Sequence, residues 1–556
     1  MLQQKPYLSW ADPGFCRLFG ECPKPGDPAM RNLFFRLFLA CLLFPAAGWA
    51  QDILPTPMSV RRTAASFTFP EALEIASDPA FGPSADYLTA RLEKYLPIKR
   101  GRAPSADIVF SRSPEGDSLG REGYTLEIGA NRILIRSEAD EGIFYGIQSL
   151  LQLLPEAVQA GKPFDLAGFS IPGMEVVDKP KYAWRSFMLD SGRQYQSPAF
   201  IKRYLDLLAM LKMNVFHWHL TEGQGWRVEI RKYPRLAEEG SRVAGGPEQQ
   251  GYYSQEAIRD IVAYAQRLHI EVVPEIDVPG HSEAALTAYP EMTCFGEAPE
   301  SVMTFSPALF CAGREETYRF LEGVLEEVCA LFPSAYIHLG GDEAPKAHWD
   351  QCPDCQRRIR EEGLTGAHDL QLYFSARLAR FLQTKGKKVL FWGDVVYHEG
   401  RPLPDNVIVD WWNWRGHQDT AMKNAIAQGK AVICNTNYYT YLNFPVTPWS
   451  RYFEDRTFDL RDIYLKNPSD LPDPDPLVLG MGCSLWTDWH VLEHMIDRRV
   501  FPRVYALSEQ MWHQGERSSF EAFLKKVEGK FPLLESLGVE YGPALKENTP
   551  EDYVWD

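Results

Sequence analysis

From Trp184 onward, short apolar runs alternate with amphipathic stretches in a regular order. The runs are WRSFMLD, NVFHWHL, IEVVPEI, AYIHLGG, KVLFWGD, NVIVDWW, AVICNTN and LGMGCSLW, eight in all. Between them lie FIKRYLDLLAMLKM, EAIRDIVAYAQRLH, TYRFLEGVLEEVCALF and LQLYFSARLARFL, whose apolar residues recur every three or four positions and so cover one face of a helix. Eight strand-helix repeats predict an α/β fold, a (β/α)8 TIM barrel with some long loops. An open doubly wound sheet carries the same pattern, because strand order is invisible in sequence.

Upstream, residues 52–178 mix β-type runs, GYTLEIG and NRILIRS, with the helical patterns SADYLTARLEKYL and EGIFYGIQSLLQLL. This mixture predicts a small α+β domain. The passage IPGMEVVDKPKY reads as the linker to the barrel domain over 179–556, which ends in a C-terminal helical segment, since proline removes a ladder donor and restricts its predecessor. Residues 1–50 read as processing signal. Met30 is followed by Arg31 and Asn32, the apolar stretch LFFRLFLACLLFP and the small-residue run AAGWA ending at Ala50, the layout of a secretory signal peptide with cleavage expected after Ala50. Residues 1–29 precede a good start methionine and read as an upstream extension. A retained N-terminal anchor is the alternative, although Arg36 interrupts the apolar stretch.

Composition narrows the function. A formal charge of −16 with no basic stripe argues against a nucleic-acid partner. Fifteen tryptophans are many, and flat indole faces suit the apolar faces of sugar rings as well as a protein core. Export permits disulfides. Beyond the signal the chain keeps Cys294, Cys311, Cys329, Cys352, Cys355, Cys434 and Cys483, an odd number, so at least one is free or bonded between chains. Cys294 and Cys311 flank a loop and are the first candidates for a disulfide. The CPDC run at Cys352–Cys355 has metal-like spacing with His348 nearby, but no second CxxC completes four ligands, so neither a metal nor any other cofactor is expected.

The polar residues gather at the ends of the apolar runs. Asp190 and Arg193 follow the first, His219 and Glu222 the second, Asp277 and His281 the third, and Asp342 and Glu343 the fourth. Trp392 and Asp394 belong to the fifth, Trp412 to the sixth, Tyr441 to the seventh, and Trp486 and Asp488 to the eighth. In a barrel these ends share one rim, where active sites are built. The sharpest signal is HLGGDEAP, His338–Pro345, in which two glycines allow a tight turn before two adjacent acids. Neighbouring carboxylates at a partly buried site push one another toward the protonated form that a general acid needs. Alone, the pair also fits a solvated helix start.

The passages MLDSGRQY, NVFHWHLTEGQGWRVEI, GYYSQEAIRDIVAYAQRLHIEVVPEIDVPGHSEAAL, YIHLGGDEAP, VLFWGD, LWTD and FPRVYALSEQMW, in this order, resemble glycoside hydrolase family 20, the β-N-acetylhexosaminidases. Residues 52–178 likewise resemble the small domain that precedes the barrel in that family. The resemblance implies exo-acting, retaining hydrolysis of terminal N-acetylhexosamine on glycans or glycoconjugates, assisted by the substrate's own acetamido group. It makes Glu343 the acid and then the base, and Asp342 the partner of the acetamido N–H. Tyr441 becomes the donor to the acetamido oxygen, and His281 and Glu222 a relay that orients Glu343. Arg193, Asp394, Asn443 and Asp488 are assigned to sugar binding, and Trp392, Trp412 and Trp486 to the walls, with Trp411 or Trp414 as substitutes for Trp412. Three positions depart from the family pattern. Glu222 and Gly223 stand where two Asp are usual, Asn443 where Asp is usual, and Asp488 where Glu is usual. The last two bear on sugar preference rather than on reaction type. Release of a disaccharide and a non-catalytic carbohydrate-binding barrel are the competing readings.

Overall fold

The computed structural model describes residues 53–553 apart from 104, 115–117, 303–305, 398–399, 413–419, 448–457, 467–475, 489 and 552. The signal-like segment that ends at Ala50 lies outside the described residues. Among those described, no helix is long and apolar enough to cross a membrane.

Residues 59–178 build a mixed seven-stranded sheet from β1 (Ser59–Thr68), β2 (Leu73–Ser77), β3 (Ile98–Arg100), β4 (Ile108–Arg112), β5 (Tyr124–Ile128), β6 (Ile133–Ser137) and β7 (Ser170–Asp178), in the order β1-β7-β5-β6-β4-β2-β3. The helices Gly82–Leu92 and Asp140–Leu151 bury Leu88, Leu92, Ile143 and Ile147 in the core. The expected linker is a strand instead. IPGMEVVD belongs to β7, which pairs with both β1 and β5. Its proline is tolerated because β5 pairs only with Met174–Asp178, so Pro172 faces a partner on one side alone and lies beside the irregularity between Arg62 and Ser66.

The eight apolar runs become eight parallel strands: β8 (Trp184–Asp190), β9 (Val215–His219), β10 (Glu271–Glu275), β11 (Tyr336–His338), β12 (Lys388–Trp392), β13 (Val407–Trp411), β14 (Ala431–Cys434) and β15 (Val478–Leu485). They close into a barrel in chain order, with β15 paired to β8, which excludes the open sheet. Alternation along a strand sends every second side chain inward. Trp184, Val215, Val273, Leu390, Ile408 and Ile433 therefore form one apolar layer in the lower barrel. Two residues further on, the same strands supply His217, Glu275, Trp392 and Asp410, all buried. One more step reaches the rim.

The cysteines also depart from expectation. The seven described cysteines form no disulfide, so Cys294 and Cys311 are not bonded to each other. They stand instead in one group with Cys352 and Cys355. An antiparallel bridge between Thr293 and Phe310 joins the two ends of their loop, a contact that spacing along the chain does not reveal.

Candidate active site

The turn after β11 explains the two glycines of HLGGDEAP. Gly340 and Gly341 have φ of +60° and +92°, and a Cβ on Gly340 would lie 1.8 Å from Asp277 Oδ1. No larger residue fits there. The N–H of Gly341 donates to that same oxygen at 2.9 Å. Beyond the turn the backbone is not helical at Asp342 and Glu343, which removes the helix-start reading. Glu343 and His281 both take left-handed conformations, φ +45° and +49°. For residues with a Cβ this is a strained arrangement, of the kind that concentrates where side chains must be aimed.

Arg193, His281, Asp342, Glu343, Trp392, Trp412, Tyr441, Asn443, Phe444, Trp486 and Asp488 line an open pocket at the rim that encloses about 550 Å3 of non-atom space, its mouth included. Tyr441 lies parallel to Trp412 at 6.3 Å between ring centres and parallel to Phe444 at 6.1 Å, while Trp486 stands 5.9 Å away and tilted. Trp392 is fixed by donating Nε1–H to Glu275 at 2.8 Å, and Trp412 by donating to Asp394 Oδ2 at 2.7 Å. Strand alternation selects Trp412 over Trp411. Trp411 points the other way and packs in the main core, and Trp414 lies outside the described residues.

The charged groups form a chain across one side of the pocket. Asp190 and Glu222 grip Arg193, through Nη1 at 2.8 Å and Nη2 at 2.5 Å. The same Glu222 oxygen lies 2.9 Å from His281 Nδ1, and His281 Nε2 faces Asp342 at 3.6 Å and Glu343 at 3.7 Å. Burial by itself would discharge His281, but the carboxylates of Glu222 and Asp342 outweigh it and hold the imidazole well above its ordinary pKa, hence cationic. Glu222 is likewise held well below the carboxylate range, since Arg193 and His281 outweigh its burial.

The acids near the reacting position are pushed the other way. Burial raises Asp342, partly opposed by His281, and its Oδ1 is buried without a hydrogen-bond partner. Burial and the Asp342 charge lift Asp277 well above the carboxylate range, and Asp394 to about 7. Asp488 is raised to about 6 by burial, with Arg193 opposing, and accepts from the Asn443 side chain at 3.1 Å.

One expectation changes place. Asp394 stands behind the wall rather than on it, with one oxygen accepting from the Glu343 N–H at 3.1 Å and the other from Trp412. Glu222, read as part of a supporting relay, stands behind the pocket in contact with Arg193 and His281. Two participants had no assigned role. Asp277 follows the third apolar run and so carried the same rim signal as its neighbours, whereas nothing in the sequence marked Phe444. Beneath the pocket, Glu275 gathers His217, His219 and His338 at 2.8, 2.6 and 3.2 Å.

Residues 182–515 match the family described as "Glycosyl hydrolase family 20, catalytic domain", and residues 50–179 match its "domain 2". The chain belongs to glycosyl hydrolase family 20. It is 34% identical over 552 residues to a β-hexosaminidase of Porphyromonas gingivalis, covering 93% of this chain and 69% of that one. The crystal structure of a β-N-acetylhexosaminidase from Bacteroides fragilis superposes with a TM-score of 0.83 at 49% identity, covering 91% of this chain and all of that one. A family 20 exo-β-N-acetylglucosaminidase from Vibrio harveyi, solved with N-acetylglucosamine, superposes with a TM-score of 0.78 at 28% identity over 89% of this chain and 79% of that one.

Proposed function

We propose that the protein is an exo-acting, retaining β-N-acetylhexosaminidase in which the substrate's acetamido oxygen is the nucleophile. The observation that carries this reading is the pairing of Asp342 and Glu343 against one imidazole, 3.6 and 3.7 Å from His281 Nε2. A covalent two-carboxylate scheme needs its acids about 5–5.5 Å apart, one on each side of the scissile bond. Here the two acids are chain neighbours on the same side. The third acid on the pocket wall, Asp488, is engaged with Asn443 and Arg193. The nucleophile therefore comes from the sugar.

In this reading the acetamido group enters between Trp392, Trp412 and Trp486. Asp342 accepts its N–H with the lone pairs that the free protein leaves unsatisfied, and Tyr441 donates to its oxygen. As that oxygen closes on C1, Asp342 offsets the positive charge of the forming oxazolinium, and Glu343 protonates the leaving oxygen. Glu343 then takes a proton from water, which opens the ring. The His281 cation keeps both acids turned inward, with Glu222 behind it. Arg193, which lies over the Trp486 ring, and the bonded pair Asn443 and Asp488 line the same pocket and take the outer hydroxyls.

Leaving-group dependence tests the two roles. Glu343→Gln should cost about 10²–10⁴-fold in kcat with a poor leaving group and much less with an activated aryl glycoside. Asp342→Asn should slow both substrates by similar factors, because the acetamido oxygen must close on C1 as either group departs. If the two variants exchanged behaviours, the roles would be reversed. The natural partners proposed are glycans ending in GlcNAc or GalNAc, and export is proposed from the segment ending at Ala50. N-terminal sequencing of the mature protein should begin at Gln51, and a chain retaining the apolar stretch would point to anchoring.

A further inference from the structure

Four sulfurs meet where the third and fourth βα loops of the barrel touch, in a part of the molecule the proposed reaction does not use. Cys311 Sγ lies 3.8 Å from Cys352 Sγ and 3.7 Å from Cys355 Sγ, and Cys294 Sγ lies 3.8 Å from Cys355 Sγ. All four lie within 4.8 Å of one another. A disulfide brings two sulfurs to about 2.05 Å. Four thiolates bound tetrahedrally to zinc at about 2.3 Å stand about 3.8 Å apart along each edge of the tetrahedron. The observed spacing is that of the second arrangement.

We propose that Cys294, Cys311, Cys352 and Cys355 form a structural Zn2+ site that locks the loop 295–310 to the turn following the catalytic acids. Four thiols would lose four protons and form four Zn–S bonds with no change of oxidation state, leaving a centre of net charge −2. The surroundings suit that charge. The Arg314 guanidinium, which bonds to the Thr293 carbonyl, also stands beside the Cys311 sulfur, and the Cys355 N–H points to Cys352. Cys352 stands at the N-cap position of the helix Pro353–Glu361, whose N-terminal end favours a thiolate. His348 is not a ligand of this group; its ring packs edge-on against Phe295.

Protein contacts bring the two segments together independently of any ion. The Cys311 N–H donates to the Met292 carbonyl at 2.9 Å, closing the first loop on itself, and Trp349 Nε1 donates to the Phe310 carbonyl at 3.0 Å, joining that loop to the second. Gly313 lies so close to the CPDC turn that a Cβ would meet the Asp354 carbonyl carbon at 2.2 Å. The clamped loop in turn reaches the charged chain of the pocket. A Cβ on Gly223 would come within 2.7 Å of the Val302 carbonyl and 2.8 Å of Glu283 Oε2, so the glycine after Glu222, one of the departures from the family pattern, makes room for this loop.

The test is metal and thiol content of the full-length chain, purified without added zinc or chelator. About one zinc per chain is expected, released as an organomercurial titrates the four sulfurs, together with no disulfide in intact-mass and peptide mapping. Replacing zinc with Co2+ should give the strong visible bands of a tetrahedral tetrathiolate site. C352S/C355S should abolish zinc retention and lower the melting temperature while kcat on an aryl substrate stays within a few-fold. Two disulfides among these four residues, four freely reactive thiols in metal-free protein, or iron in place of zinc would each overturn the assignment. Because zinc content is read on the wild type, the assignment stands or falls on that measurement even if the double variant fails to fold.

Discussion

The two ends of the barrel handle buried charge in opposite ways. At the lower end, where the small domain docks, the central buried charges are paired. Lys212 and Asp178, both fully buried, pair at 2.9 Å, and Asp178 also accepts from Tyr124 at 2.7 Å and from Trp512 at 2.9 Å. Arg185 closes on Glu122 with two parallel bonds of 2.9 and 2.7 Å. At the rim, Asp277, Asp342 and Asp394 crowd one another, their carboxyls are raised, and Asp342 keeps an oxygen without a partner. Unsatisfied buried polarity costs stability, so the unpartnered Asp342 oxygen beside the pocket marks a place where a ligand supplies what is missing. The contrast matches the division of labour in such barrels, with chemistry at the strand C-termini and stability at the other face.

The comparison predicts opposite phenotypes for equally buried acids and bases. Asp342→Asn should lower kcat by about 10²–10³-fold and leave the melting temperature unchanged or higher, because a repelling charge is removed. A large loss of stability instead would show that the rim is a structural network. Lys212→Met should do the reverse, costing about 3–5 kcal/mol in denaturant unfolding by stranding Asp178, with kcat per folded molecule essentially unchanged. Retention of full stability would place the contribution of that pair near zero.

A smaller effect distinguishes the ends by pH. Asp394 titrates near 7 in the folded protein and at about 3.9 in an unfolded chain. Between these values the folded form holds a proton that the unfolded chain has released, so this carboxyl's contribution to stability is fully present below the lower value. It falls as pH rises through about 7, by at most about 1.4 kcal/mol per pH unit. Asp394→Asn should flatten that decline when unfolding free energy is compared at pH 5 and pH 7.5. An unaltered slope would mean that Asp394 is ionised throughout.

Much of this was legible because a closed parallel barrel writes itself into sequence. Strands buried on both faces must be apolar runs, the helices that cover them must be amphipathic, and residues just past each run must reach one rim. HLGGDEAP carried its own turn, since only glycine satisfies the positive φ and the approach to Asp277. The strand DWWNW was legible too, but the choice of Trp412 over Trp411 waited for the structure, which packs Trp411 in the main core. Tertiary structure alone decided what depends on contacts between segments far apart in the chain. It closed the barrel by pairing β15 with β8, and made IPGMEVVD a strand by giving Pro172 a one-sided place. It set Asp394 behind the wall as a brace, and gathered four cysteines from two loops into one group. Local pattern reports the environment a residue needs, whereas the partner that meets it can come from anywhere the chain returns to.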